Sequence, residues 1–198
     1  MQQLLDEEDK LNPFKAVEIL RNRRGLDEQS IGMGNEKAIN QLLAHHGIVF
    51  KPAERKVWVS SNPYQMGEFI HYDLNQVFAN YEKGIKSSSV STKEFNIPAS
   101  SFLQTQEYQD YEVFRALESK VKRALNSDKP LNEDNARQLV KLNPDFWEAW
   151  YLAGKIHYEN KDYKDALIHF KQARKREITT IPDLREVEKM IMKSTGKI

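Results

Sequence analysis

The chain contains no cysteine. That excludes disulfides, thiolate zinc sites and a cysteine nucleophile among its own residues, and it leaves the redox compartment unread. No run reaches the roughly 18 uninterrupted apolar residues that a membrane-spanning helix needs. Formal net charge is only +1 over 198 residues, too little for a global field that would recruit nucleic acid or an anionic membrane. Basic residues are scattered among acids, apart from "KQARKR" at 171–176, which also argues against nucleic acid. The first nine residues are acidic and lack an apolar core, so they do not read as a signal peptide, and localisation stays open. There is no P-loop, no GxGxxG and no HExxH, and the "GMG" at 32–34 follows no clear strand. Neither a cofactor nor a metal is expected.

What is present divides near residue 100. The expected fold class is α+β: an N-terminal helix and a small antiparallel β-meander, followed by an all-α array. Residues 1–83 read as the α/β segment, 84–100 as a linker rich in Ser and Thr, and 101–198 as the helical domain. Asn12-Pro13 is a helix start, since Asn caps well and proline at the first helical position loses no needed donor. Phe14, Ala16, Val17, Ile19 and Leu20 supply an apolar face, and Gly25 ends that helix. "GLDEQSIGMGN" (25–35) reads as a loop. Leu42–Phe50, Lys56–Ser60 and Gly67–Tyr72 read as three strands, with turns at 51–55 and at Asn62-Pro63. Both parities of these strands carry apolar side chains, which points to cover on both faces. Asp73 is expected to cap a short helix ending near Tyr81.

The second half repeats at three- and four-residue steps. Tyr108, Tyr111, Phe114, Leu117, Val121 and Leu125 predict an amphipathic helix over about 101–126. A shorter helix is predicted over 131–142, Asn143-Pro144 reads as the start of the next, and a last helix covers 182–193. The stretch "NPDFWEAWYLAGKIHYENKDYKDALIHFKQA" (143–173) resembles a tetratricopeptide repeat through Trp150, Gly154, Tyr163, Ala166, Phe170 and Ala173, with Asp162 in the inter-helix turn. Gly154 and Ala166 would let two helices approach, and Trp150, Tyr163 and Phe170 would fill the groove between them. One repeat cannot bury its own apolar face, so 101–142 reads as a degenerate preceding pair and 182–193 as a terminal cap. Such arrays bind a peptide or protein, or dock on a neighbouring domain; docking alone is the plainer reading.

The first half resembles another family. Asn40, "AHH" (44–46), "IVFKP" (48–52), "VWVSSNPYQMGEF" (57–69) and "YDL" (72–74) resemble the C-terminal part of acyl-CoA:6-aminopenicillanic acid acyltransferase-like proteins, a branch of the N-terminal-nucleophile hydrolases. The resemblance covers about residues 12–80 and implies an αββα sandwich and chemistry on linear amides. It also implies a nucleophilic cysteine whose own α-amine is the base, with hydrogen-bond donors for the oxyanion. This chain departs from that pattern: it has no cysteine, and Gln2 follows Met1. The expectation is therefore a C-terminal segment of an amidohydrolase or acyltransferase, inactive alone. Its partner would be the upstream part of the same precursor or a complementary chain. The alternative is a stand-alone helical-repeat interaction module with a small α/β attachment.

The candidate residues are Asn40, His45 and His46. Asn40 is a candidate oxyanion donor, or else a turn asparagine. His45 and His46, read as strand neighbours, would point to opposite faces, so one at most faces the acyl side. The plainer reading is a strand histidine bound to a carbonyl. Asn35 reads as loop chemistry, and Arg21, Arg23 and Arg24 as solvated cations at a helix end. His157 and His169 read as packing or surface residues.

Overall fold

In the computed structural model, which describes residues 2–6, 10–43, 46–84, 90–127 and 132–198, the chain is α+β and divides into two compact units. One comprises Met1–Leu26 and Ala38–Leu103, the other Asp27–Lys37 and Gln104–Ile198.

The first unit holds α1 (Gln2–Asp6), α2 (Pro13–Leu20), β1 (Ile48–Lys51), β2 (Lys56–Ser60), β3 (Phe69–Asp73) and α3 (Leu74–Glu82). Asn12 caps α2 by accepting the Lys15 N–H at 2.9 Å, and Asp73 caps α3 by accepting those of Asn75 and Gln76. The strands form one antiparallel sheet in the order β1-β2-β3, with Val49 opposite Trp58 and Trp58 opposite His71. Alternation then separates two faces. Val49, Trp58, Ser60, Phe69 and His71 share the first; Trp58 and Phe69 form a core there with Val17, Leu20 and Ile97. Burial of each such large apolar side chain contributes about 1.5–3 kcal/mol. Ile48, Phe50, Val57, Val59, Ile70 and Tyr72 share the second face, where only Val57 is buried.

Three sequence expectations shift here. The first strand starts at Ile48 rather than Leu42, because Leu42 takes a left-handed φ of 50° that no strand accommodates. Phe14 lies outside the α2 core at 56% exposure. Part of the expected linker 84–100 is packed: Phe69 and Ile97 exchange main-chain hydrogen bonds of 2.9 and 3.0 Å. Trp58 Nε1 donates to the Phe95 carbonyl at 2.9 Å, and the His71 N–H to Asn96 Oδ1 at 2.9 Å. Residues 92–97 thus extend the sheet beyond β3, while β1 has no strand on its outer edge among the described residues.

The second unit holds α4 (Gln106–Leu125), α5 (Glu133–Leu142), α6 (Trp147–Glu159), α7 (Tyr163–Arg174) and α8 (Ile181–Thr195). α5 packs on α6, α6 on α7, α7 on α8, and α4 on both α5 and α6. Tyr111, Phe114, Leu117 and Val121 form the buried stripe of α4. A Cβ on Gly154 of α6 would lie 2.6 Å from Cε1 of Phe170 on α7, so only glycine permits this helix spacing. α6 starts at Trp147, four residues after the expected Asn143 cap, and Asn143 has another task.

That task concerns residues 27–37, which overlap the stretch 25–35 expected as a plain loop. Asn143 Oδ1 accepts the Met33 N–H at 3.1 Å, and its Nδ2 donates to the Met33 carbonyl at 2.8 Å. Gly32, at φ 83°, rests on the main chain of Phe146; a Cβ there would sit 2.3 Å from its Cα. Asn35 is fully buried, and its Nδ2 donates to the carbonyls of Ile31 and Glu177. Ile31, Met33 and Asn35 thereby become part of the helical core.

Candidate functional site

The residues singled out in the first unit converge on the segment 61–67. Asn40 is 2% exposed. Its Nδ2 donates to the Tyr64 carbonyl at 2.9 Å, its Oδ1 accepts the Leu42 N–H at 2.9 Å, and its own N–H donates to the Asn22 carbonyl at 2.8 Å. Both ends of the amide are engaged within the protein. His46 is exposed and precedes β1 rather than lying in it; its carbonyl accepts from Gln65 Nε2 at 3.1 Å. His45 lies outside the described residues. At His46 the opposite-face argument therefore has no strand to act on.

Arg21, expected as a solvated cation, is instead 7% exposed. Its Nη2 donates to the carbonyls of Gly67 at 2.8 Å and Pro98 at 2.7 Å, its Nε reaches the Gln65 carbonyl at 3.4 Å, and its Nη1 pairs with Glu18 at 2.9 Å. A guanidinium is the one side chain with enough fixed donors for this set. Its carbonyl partners lie 44 to 77 residues away in sequence, so no local pattern announces the contact. Arg23 stacks on the Phe102 ring, 3.4 Å from its centroid. Asn40, Arg21 and Gln65 together hold a segment in which Tyr64 and Gln65 both have positive φ, 49° and 64°. Such strained backbone persists only where its surroundings fix it.

On β3 lies His71, 1% exposed, whose two ring nitrogens have no hydrogen-bond partner among the described residues. Its ring packs on Trp58 at 4.8 Å and Phe95 at 5.3 Å. Burial lowers its pKa, Lys56 adds to the effect and Asp73 opposes it. Its surroundings disfavour the charged form.

In the second unit, Lys122 of α4 pairs with Glu118 at 3.1 Å and with Glu148 of α6 at 2.7 Å. Burial pushes Glu148 up to about 7 against the pull of Lys122. Burial alone would lower Lys122, but the two carboxylates outweigh it and raise it. A cavity of about 270 Å³ is lined by Lys37, Arg174, Arg176, Glu177 and Thr180. Its cations already have partners: Lys37 pairs with Glu177, Arg174 with Glu188, and Arg176 bonds the Pro144 carbonyl and covers the Trp150 ring. Trp150 is half-buried and donates to the Pro144 carbonyl at 2.7 Å, while Ala166, Phe170 and Ala173 are fully buried. Tyr163 meets Tyr158 edge-on at 5.3 Å. His157 and His169, apart in sequence, stack at 4.8 Å.

No family model matches the chain, and neither the curated proteins nor the solved structures contain a significant match to it.

Proposed function

We propose that the first unit is one helix layer and part of one sheet of an αββα sandwich of the N-terminal-nucleophile type. The chain is then the C-terminal segment of an enzyme that hydrolyses or forms linear amides, with the nucleophile carried by another segment. The observation that supports this reading is the unequal cover of the sheet. One face is sealed by α2 and residues 95–97, while the other presents Ile48 at 49% and Phe50 at 64% exposure, with Val59, Ile70 and Tyr72 half-buried around them. A second sheet stacked at about 10 Å would interdigitate with these side chains. The outer edge of β1, which has no strand partner among the described residues, fits a sheet that continues. Without a cysteine this chain performs no acyl transfer of that type. Asn40, His45 and His46 lie within the stretch that carries the resemblance. Asn40 holds the Tyr64 carbonyl there.

The second reading, a tetratricopeptide-like interaction module, rests on the close approach at Gly154 and on the succession of packed helices. The Asn143 clamp on Met33 shows the helical unit already engaging a peptide main chain of its own. That favours a scaffold role for the helices over capture of a foreign peptide.

The coding sequence upstream of Met1 and a co-expression test separate the two. An open frame beginning a strand with cysteine, whose product co-purifies with this chain and cleaves a chromogenic N-acyl anilide, supports the enzyme reading. A stop codon upstream and a cooperatively folding chain that ignores apolar dyes would contradict it.

A further inference from the structure

The turn between α6 and α7 holds a group of side chains whose ligand chemistry neither reading uses. His157 lies in the last turn of α6, Asp162 caps α7, and Asp165 lies in its first turn. One ligand-capable atom from each lies within 4.8 Å of the others. His157 is 7% exposed, and its buried Nδ1 has no hydrogen-bond partner among the described residues. That nitrogen lies 3.4 Å from Asp162 Oδ2. The other oxygen of Asp162 accepts the Asp165 N–H at 3.4 Å, which turns Oδ2 toward the imidazole.

We propose that His157, Asp162 and Asp165 form a site for a divalent transition metal, with Zn²⁺ the best match and water as the remaining ligand. Zinc bonds of about 2.0–2.1 Å to nitrogen and oxygen set the edges of a tetrahedron at about 3.3–3.4 Å. The His157–Asp162 separation of 3.4 Å already equals such an edge. Asp165 is exposed, so a rotamer change suffices to close its part of the shell. An imidazole with two carboxylates suits zinc better than the all-oxygen shells of Mg²⁺ or Ca²⁺. Electrostatics agree. The carbonyl end of α6 lies beside the N–H end of α7, so their dipoles oppose each other, and the two carboxylates decide the local sign. His169 lies outside the set of clustered ligand atoms; its Nδ1 meets the Asp165 carbonyl at 2.8 Å, and its ring stacks on His157. Bound metal would tie the last turn of α6 to the first turn of α7.

The test is titration of the full chain with Zn²⁺, and with Co²⁺ as a visible probe. One equivalent is expected to bind, with the intense absorption of tetrahedral cobalt and a shift of the His157 ring resonances. Asp162→Asn keeps the helix cap and Asp165→Asn alters an exposed side chain, so both variants fold; each is expected to weaken binding about tenfold or more. A His45→Gln/His46→Gln variant is expected to bind normally. No saturable binding, affinity unchanged in both Asn variants, or loss of binding in the double-His variant would each overturn the assignment.

Discussion

Replacing Gly154 by alanine tests the packing of the helical unit at its tightest point. The new methyl would lie 2.6 Å from Cε1 and 2.7 Å from Cδ1 of Phe170. Ordinary carbon contacts are about 3.5–4.0 Å, so ring or helix must yield by about 1 Å. The ring is fully buried, with Tyr151 at 5.8 Å and Met190 packed in the same cluster, so it has little room. Overpacking of this kind costs about 1–3 kcal/mol, and a buried ring without slack belongs at the upper end. Alanine returns about 1 kcal/mol through its helix propensity. The net expectation is a destabilisation of about 2 kcal/mol. Urea titration followed by helix circular dichroism and by Trp147 and Trp150 fluorescence measures it. Adding Phe170→Leu makes room, so the double variant should recover at least about 1 kcal/mol relative to the sum of the singles. A Gly154→Ala variant more stable than the parent would refute the close approach of α6 and α7.

Other perturbations address the first unit and the loop clamp. Arg21→Met leaves the carbonyls of Gln65, Gly67 and Pro98 without their donor. It should cost about 3 kcal/mol or more by denaturant titration, with Arg21→Lys restoring less than half. Asn143→Ala removes both bonds to Met33 and should cost about 1–3 kcal/mol. Hydrogen exchange at Met33 and Asn35 should then accelerate, and unchanged exchange would dismiss the clamp. His71 binds its proton less readily when folded than when unfolded. The unfolded state therefore holds more protons near its pKa of about 6.5, and stability of the sheet should fall as pH drops from about 7 to 5. His71→Phe should flatten that dependence. Burial lowers His169 in the helical unit as well, so the readout must be amide exchange within β2 and β3.

Local signals carried much of the secondary structure. Asn12 and Asp73 announce their helices because a cap acts within three residues. The three- and four-residue spacing from Tyr108 to Leu125 places α4 because its apolar stripe faces one core. Short apolar runs between turn residues located β2 and β3. What stayed hidden was set by partners far away in the chain. Arg21 ends a helix as many solvated arginines do, and its burial depends on carbonyls from residues 65–98. Asn143 precedes a proline as a helix cap would, yet its side chain is taken by Met33, 110 residues away. The loop 27–37 has glycines for a positive φ and for close approach, but its sequence does not say against which helices. At the candidate segment, "NPYQMG" was legible as a turn; that Asn40 and Arg21 fix it was not.

The account turns on the open apolar face of the sheet, and the accessibility of Phe50 tests it most directly. Hydroxyl-radical footprinting can be run on the chain alone and on the chain co-expressed with the upstream segment that the proposed function calls for. The account predicts strong labelling of Phe50 alone, as its 64% exposure requires, and protection when the second sheet is supplied. Protection of Phe50 in the isolated monomer, or equal labelling with and without the upstream segment, would contradict it.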